Sequence, residues 1–261
     1  QARHAAQHDA PLGLGGAVLA NVHGGHAAWR AGPGALATAS LLLGSGITWG
    51  HIWPGHVSFV EAWAWTPWLL AGCLHAVRSW QLRAVLLAAL TLALQLLAGH
   101  PQVTYLSLVA TVVVLAAHAW DPLPIGQSGD GPSAGQRTPM SVWLRAPLVL
   151  GAVVPLGAAL AAGQLLPTAA LSPLLNRSLA PGHELALAFS APPASLLTAV
   201  APSAFGGVQA RLAAFSYHET LAHLGAAGLA LALIAALRGR RRNWVLGLFA
   251  AAAVLLSLGS Y

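Results

Sequence analysis

Long apolar runs separated by short polar segments dominate the chain from residue 35 onwards. Apart from Arg83 at the start of the third run, these runs contain no Asp, Lys or Arg, and they are 16 to 26 residues long. Such lengths are typical of helices that cross a bilayer. The pattern therefore predicts an all-α polytopic membrane protein with about seven transmembrane helices. The runs lie near residues 35–50, 57–77, 83–99, 103–120, 146–171, 221–237 and 244–260.

Residues 1–34 do not follow this pattern and form a poorly defined N-terminal segment. Residues 35–261 form the predicted multi-span domain, in which residues 172–220 are the one long connection. The chain begins with Gln1, and it stops at Tyr261 at the end of an apolar run. We therefore expect it to be a piece of a larger polytopic protein, truncated at both ends.

The composition supports a bilayer environment. Hydrophobic residues make up 57% of the chain and charged residues only 7%, whereas a soluble domain carries about 25% charged residues. This balance excludes a disordered chain, a solvated coiled coil and nearly every class of soluble enzyme. The single cysteine, Cys73, excludes a disulfide framework.

The net charge of +6 comes entirely from arginine, because the chain has no lysine. If the connection between Arg78 and Arg83 is cytoplasmic and the spans alternate, nine of the twelve arginines fall on the cytoplasmic side. Only Arg177 and Arg211 fall on the opposite side, and Arg3 is unassigned. This asymmetry follows the positive-inside rule, so the basic charge requires no nucleic-acid partner.

The same alternation places the unusual polar motifs on the extracytoplasmic face. His51 and His56 lie in a turn rich in Trp, Pro and Gly, and Glu61 follows just inside the next span. A carboxylate within a span usually faces protein or water. Glu61 is therefore either a base, a metal ligand or a partner for a substrate hydroxyl, or a carboxylate that hydrogen-bonds to His or Trp donors at the interface.

The motif Gly99-His-Pro-Gln102 predicts a tight reversal between two spans. Pro101 ends one helix and is suited to start the next. His100 and Gln102 either point into an outer cavity or satisfy the backbone groups at the helix ends.

The long 172–220 connection holds the remaining candidates. Glu219 and His223 share one face of a helix, so they could ligate a metal, relay a proton or simply form an i,i+4 hydrogen bond. Tyr217 lies next to this pair. Arg177 and Arg211 either grip a phosphate or lie at the lipid headgroups. Two residues do not define a metal site, which leaves a divalent metal as an open alternative.

The order of motifs resembles the YfhO-like bacterial membrane proteins, which are related to the GT-C glycosyltransferases. The resemblance covers roughly residues 35–261, and no single motif carries it alone. The matching motifs are Ser45-Gly46 with His51 and Gly55-His56, Ala64-Trp65-Thr-Pro67-Trp68, Leu97-Ala-Gly-His-Pro-Gln102, Gln164-Leu-Leu-Pro167, Phe189-Ser-Ala-Pro-Pro193, Pro202 with Phe205-Gly206, and Tyr217-x-Glu219 with Gly225.

This resemblance implies a GT-C-like partial bundle in the bacterial cytoplasmic membrane, with its active site on the extracytoplasmic side. There a sugar would pass from a polyprenyl-phosphate carrier to a glycopolymer or lipid acceptor of the cell envelope. The family's main catalytic Asp or Glu lies in a first outer loop, which would precede this chain. Within the chain, the resemblance implies catalytic roles for Glu61 and Glu219. It implies substrate binding by His51, His56, His100, Gln102, Arg177, Arg211, Tyr217 and His223.

Two other classes are compatible with the same features. A transporter or flippase for lipid-linked sugars could use the arginines and aromatic residues without breaking a bond. A non-catalytic subunit of a membrane assembly is the third alternative.

Overall fold

The computed structural model describes residues 39–121 except 42 and 53, residues 139–174, residues 190–201 with 204, and residues 225–259. These residues are helical, and no strand occurs among them. The helices are α1 (Gly46–Ile52), α2 (Val57–Ser79), α3 (Leu82–Leu97), α4 (Pro101–Trp120), α5 (Pro139–Leu160), α6 (Ala162–Leu171), α7 (Ala226–Leu237) and α8 (Arg241–Leu258). Two 3-10 helices, Ser172–Leu174 and Pro193–Ala199, complete the set.

Three of the helices are long and apolar enough to cross a membrane: Pro101–Trp120, Val142–Leu160 within α5, and Arg241–Leu258. The helices α3 and α7 are apolar but shorter. With 23 residues α2 is longer than any of these candidates, but Glu61, Pro67 and three tryptophans make it less apolar. The all-α prediction is confirmed for the described residues, and the three apolar helices agree with a membrane location. The count of seven spans is not confirmed.

The helix α3 forms the centre of the bundle and packs against α2 on one side and α5 on the other. Small residues allow both approaches. A Cβ added to Gly72 of α2 would lie 3.3 Å from Ala88 of α3, and one added to Gly157 of α5 would lie 2.9 Å from Leu92. Lipid tails are as apolar as leucine, so helices in a bilayer associate through this kind of close packing.

The remaining helices surround this centre. The helix α4 packs against α2, α5 and α8, and α7 pairs with α8. The backbone amide of Ala191 donates to the carbonyl of Ser257 over 2.7 Å. This bond holds the segment before the second 3-10 helix at the C-terminal end of α8.

Two predicted runs differ in their boundaries. The run at 35–50 was predicted as one span, but among its described residues the helix is interrupted at Gly44 and Ser45, and α1 covers only Gly46–Ile52. The run at 146–171 was predicted as a single helix, but the structure has α5 up to Leu160, a break at Ala161, and then α6. Gly163 and Pro167 both weaken a continuous helix at this point, through backbone freedom and a missing amide donor. At the other end α5 begins earlier than predicted, at Pro139, a residue that is favoured in the first turn of a helix.

Candidate ligand site at the histidine end

The bundle has two ends with different chemistry. We call the end with His51, His56 and His100 the histidine end, since these residues flank the N-termini of α2 and α4. The helix α2 runs away from it for 23 residues, or about 34 Å. We call the opposite end, where α2 and α4 finish, the arginine end. The candidate ligand site lies at the histidine end.

Phe59, in the first turn of α2, is the centre of a cluster of rings. His51 stacks on it with ring centroids 3.6 Å apart and planes 10° from parallel. His100 meets Phe59 edge-on at 5.3 Å, and His56 lies 5.6 Å from His51. Trp63, one turn further along α2, is 6.3 Å from Phe59. Two predicted site histidines, His51 and His100, therefore contact a phenylalanine that the sequence did not single out, and His56 lies beside His51.

The hydrogen bonds of His51 and His100 give the two rings opposite tautomers. Nδ1 of His51 lies 2.8 Å from the carbonyl oxygen of Ile47. A carbonyl only accepts, so this Nδ1 donates, and Nε2 of the neutral ring is an acceptor. Nδ1 of His100 accepts from the backbone amide of Val103 over 3.4 Å, so its Nε2 carries the proton. The cluster thus combines one ring acceptor with one ring donor.

The turn that holds His100 has the form that its sequence predicts. Gly99 has a φ of 77°, which favours glycine, and Pro101 is the first residue of α4. His100 is the N-cap of α4. Nδ1 of His100 therefore satisfies a backbone amide at the start of α4, as one of the two interpretations of this turn predicted. The same ring also contacts Phe59.

A buried polar network lies below the rings. The side chain of Gln95 in α3 is fully buried, and its Nε2 lies 2.9 Å from the carbonyl of Ala62, 3.1 Å from Thr66 Oγ1 and 2.9 Å from Ser107 Oγ. The two hydroxyls also contact each other at 2.7 Å, and Ser107 donates to the carbonyl of Val103. Thr66 is seven residues from Phe59, so the network lies about 10 Å below the rings. It joins α2, α3 and α4.

Two buried polar atoms in this region have no hydrogen-bond partner among the described residues. They are Nε1 of Trp63, a donor, and Oε1 of Gln95, an acceptor. Trp63 follows Ala62, the residue whose carbonyl Gln95 contacts. A buried polar group without a partner costs free energy. A hydroxyl that both donates and accepts has the chemistry to satisfy the pair.

Glu61 does not join the cluster. It is exposed, as are Val57, Ala64 and Trp68 on the same face of α2, and it makes no hydrogen bond or ion pair with any described residue. The hydrogen bond to His or Trp donors that the sequence offered as one interpretation is therefore not seen in the described part of the chain. Gln102 is exposed as well, just beyond His100.

The other predicted site residues lie outside the described residues. They are Arg177, Arg211, Tyr217, Glu219 and His223. Among the residues that are described, no group of three or more His, Cys, Asp or Glu side chains could hold a metal ion.

Sequence reasoning missed Phe59, Gln95 and the position of Gln164. Phe59 and Trp63 are spaced for one face of a helix, and Thr66 continues that face. Gln95 is the only amide in an otherwise apolar helix, which is an unusual residue to bury in a bilayer. Gln164 lies against Gly99, where an added Cβ would be 3.4 Å from its Nε2. The motifs Gly-His-Pro-Gln and Gln-Leu-Leu-Pro are therefore neighbours.

No family model matches this chain, and no curated protein or solved structure is significantly similar to it. The resemblance to the YfhO-like family therefore stays a prediction.

Proposed function

We propose that the chain belongs to a polytopic protein of the bacterial cytoplasmic membrane, with about seven spans arranged as a GT-C-like partial bundle. Three helices of sufficient length and apolarity support the membrane location. The histidine end would face the extracytoplasmic side, because arginines are concentrated towards the other end and cytoplasmic segments carry the excess of positive charge.

The function that we propose is that of a YfhO-like, glycosyltransferase-like protein. It would transfer a sugar from a polyprenyl-phosphate carrier to a glycopolymer or lipid acceptor of the cell envelope. The observation that carries this proposal is the ring cluster around Phe59 above the unpaired atoms of Trp63 and Gln95. Aromatic faces can cover the apolar face of a sugar ring, while paired donors and acceptors bind its hydroxyls.

Within this proposal the residues of the histidine end bind the sugar. The rings of His51 and His100 would contact the sugar, and His56 and Gln102 would line the entrance. Glu61 and Glu219 would supply the carboxylates. Tyr217 and His223 would extend the sugar site, and Arg177 or Arg211 would hold the carrier phosphate.

A second candidate function is a transporter or flippase for lipid-linked sugars. The exposure of Glu61 favours it, because the only acid in α2 lies on the face away from the ring cluster. A site made of neutral rings and amides can bind a sugar without a general acid or base.

Sugar transfer from a synthetic polyprenyl-phosphate donor, measured in detergent, separates the two functions. We expect transfer by the protein, and strong loss in E61A, H100A and E219A. Flux in proteoliposomes without cleavage of the donor would instead support the transporter. Wild-type transfer rates in all three variants would contradict the glycosyltransferase proposal.

The variant H100N isolates the role of the His100 ring in this assay. Asparagine is a good N-cap, so the start of α4 keeps its stability, but the contact with Phe59 is lost. We expect stability within about 0.5 kcal/mol of wild type together with reduced transfer or transport. The matched control is T91V, because Thr91 bonds only to the carbonyl of Leu87 in its own helix. Equal activity of H100N and wild type would show that His100 acts only as the N-cap of α4.

A further inference from the structure

The turn between α7 and α8 presents a run of arginines that the proposed function does not use. Four of the five residues from Arg238 to Arg242 are arginines. Arg238, Arg240 and Arg241 are exposed, and none of their side chains makes a hydrogen bond or ion pair with a described residue. We call these three residues the arginine turn.

The backbone holds the arginine turn in a defined shape. The helix α7 ends at Leu237, and α8 begins at Arg241. Between them Gly239 has a φ of 66°, which favours glycine. The side-chain amide of Asn243 donates to the carbonyl of Ala235 across the turn, over 2.5 Å. Three positive charges therefore lie within four residues of one short connection.

The arginine turn lies at the arginine end of the bundle and at the edge of a candidate span. Arg242 is close enough to Asp121, which follows α4, for their charges to interact. The candidate span Arg241–Leu258 begins within the turn. Since that span would cross the hydrocarbon layer, the side chains at its start lie at the depth of the lipid headgroups.

Exposed apolar side chains flank the arginine turn. Leu237 is 76% exposed and Trp244 is 59% exposed. Tryptophan concentrates at the membrane interface, where one part of its ring is wet and the rest contacts acyl chains. A nucleic acid or an acidic soluble protein would leave both side chains in water, which is unfavourable. The combination of arginines with apolar neighbours therefore suits a lipid surface.

We propose that Arg238, Arg240 and Arg241 form an interaction surface for the anionic phospholipid headgroups of the leaflet at the arginine end. Basic clusters directly beside a transmembrane helix are attracted to anionic lipids, and each charge strengthens the attraction about fivefold. The surface lies at the opposite end of the bundle from the ring cluster, and it does not depend on the proposed sugar chemistry.

This lipid contact is distinct from the part that the same arginines play in orienting the chain. Orientation depends on how many arginines lie on each side of the membrane. Without the arginine turn, six arginines would remain on the cytoplasmic side against Arg177 and Arg211 on the other. The asymmetry persists, so we expect replacement of the three residues to change lipid binding and leave the orientation as it is.

Native mass spectrometry of the whole chain in detergent measures the binding of phosphatidylglycerol against phosphatidylcholine, added at equal concentrations. We expect wild type to prefer phosphatidylglycerol. R238Q/R240Q/R241Q should lower this preference at least about tenfold, since three positive charges are lost. R238K/R240K/R241K keeps the charges and should keep most of the preference.

The matched control is R83Q. Arg83 is also exposed and lies at the same end, but its Nε donates to Oε1 of Gln81 over 2.6 Å and it is outside the arginine turn. We expect R83Q to bind lipid like wild type. If the triple variant does not fold, R240Q is measured alone, with an expected loss of about fivefold.

Four results would overturn the proposal. They are equal binding of both lipids by wild type, an equal loss in R83Q and the triple glutamine variant, an equal loss in the glutamine and lysine variants, and release of phosphatidylglycerol by inorganic phosphate. The last result would identify a site for free phosphate. Sugar transfer or transport is measured separately, so failure of this proposal and failure of the proposed function can be distinguished.

Discussion

The two ends of the bundle bury polar groups in opposite ways. At the histidine end, His51 and His100 bond to backbone groups, and the Gln95 amide bonds to two hydroxyls. Two buried atoms there, both uncharged, are left without a described partner. At the arginine end, one of the buried atoms without a described partner belongs to the guanidinium of Arg242. The same helix, α2, begins in one environment and finishes in the other.

This difference indicates what each end can bind. A neutral donor and a neutral acceptor suit an uncharged hydroxyl-bearing ligand, because a buried ion there would have no counter-charge. A guanidinium N–H suits an acceptor that carries negative charge. Buried polar groups cost free energy in a bilayer, so the few that this protein buries indicate what each end can bind.

The largest effect should come from breaking the scaffold that both ends share. In G157V the new side chain meets Leu92 at 2.9 Å and the carbonyl of Ala89 at 3.1 Å, and the carbonyl cannot move aside easily. We expect destabilisation by about 1–3 kcal/mol, with weaker binding of the lipid-linked sugar. Thermal unfolding in detergent measures the first effect, and the sugar assay measures the second.

The control for this prediction is G151V, in the same helix. Nothing lies within 4 Å of a Cβ built on Gly151, so its stability should stay within about 0.5 kcal/mol of wild type. Equal destabilisation of the two variants would mean that helix propensity, and not the contact between α3 and α5, determines the result.

The substitution Q95L should have a smaller effect, confined to the histidine end. In Q95L the hydroxyls of Thr66 and Ser107 keep their mutual bond, and the unpaired Oε1 disappears. We therefore expect stability within about 1 kcal/mol of wild type. On the proposed function, binding of the lipid-linked sugar should weaken about tenfold, because the amide below the ring cluster is removed.

Ligand titration against Q95L and T111V tests this prediction. Thr111 is also fully buried in α4, but its hydroxyl donates to the backbone of its own helix at 2.7 Å. T111V should bind the sugar like wild type. A large loss of stability in Q95L with unchanged binding would make the Gln95 network purely structural.

Sequence reasoning succeeded where a local rule decides the structure. The apolar runs predicted α2, α3 and α4 to within a few residues, because length and apolarity are properties of one segment. Pro101 predicted the start of α4 in the same way. The break at Ala161 was missed, since Gly163 and Pro167 act together with the surrounding packing.

The candidate site was only partly predictable for the same reason. His51, His56 and His100 could be predicted as candidates because they lie in short polar turns at the ends of apolar runs. Their meeting around Phe59 depends on how α1, α2 and α4 pack, which no local spacing encodes. The exposure of Glu61 depends on how α2 is rotated about its own axis. The sequence of α2 has no distinct polar face that would determine this rotation.

The smallest effect concerns Trp80 at the arginine end, where two contributions oppose each other. Its left-handed conformation costs a non-glycine residue about 1 kcal/mol, and its contact with Arg145 stabilises the protein by about 0.5–1 kcal/mol. W80G removes both contributions, so the free energy of unfolding should barely change. W80A removes the contact and keeps the strain, so it should be less stable than wild type by about 0.5–1 kcal/mol. Denaturation in detergent ranks the stabilities. A stability of W80A equal to that of W80G would show that the left-handed cap carries no strain. An unchanged stability in W80A would show that the ring contact contributes nothing, leaving charge alone to distinguish the two ends.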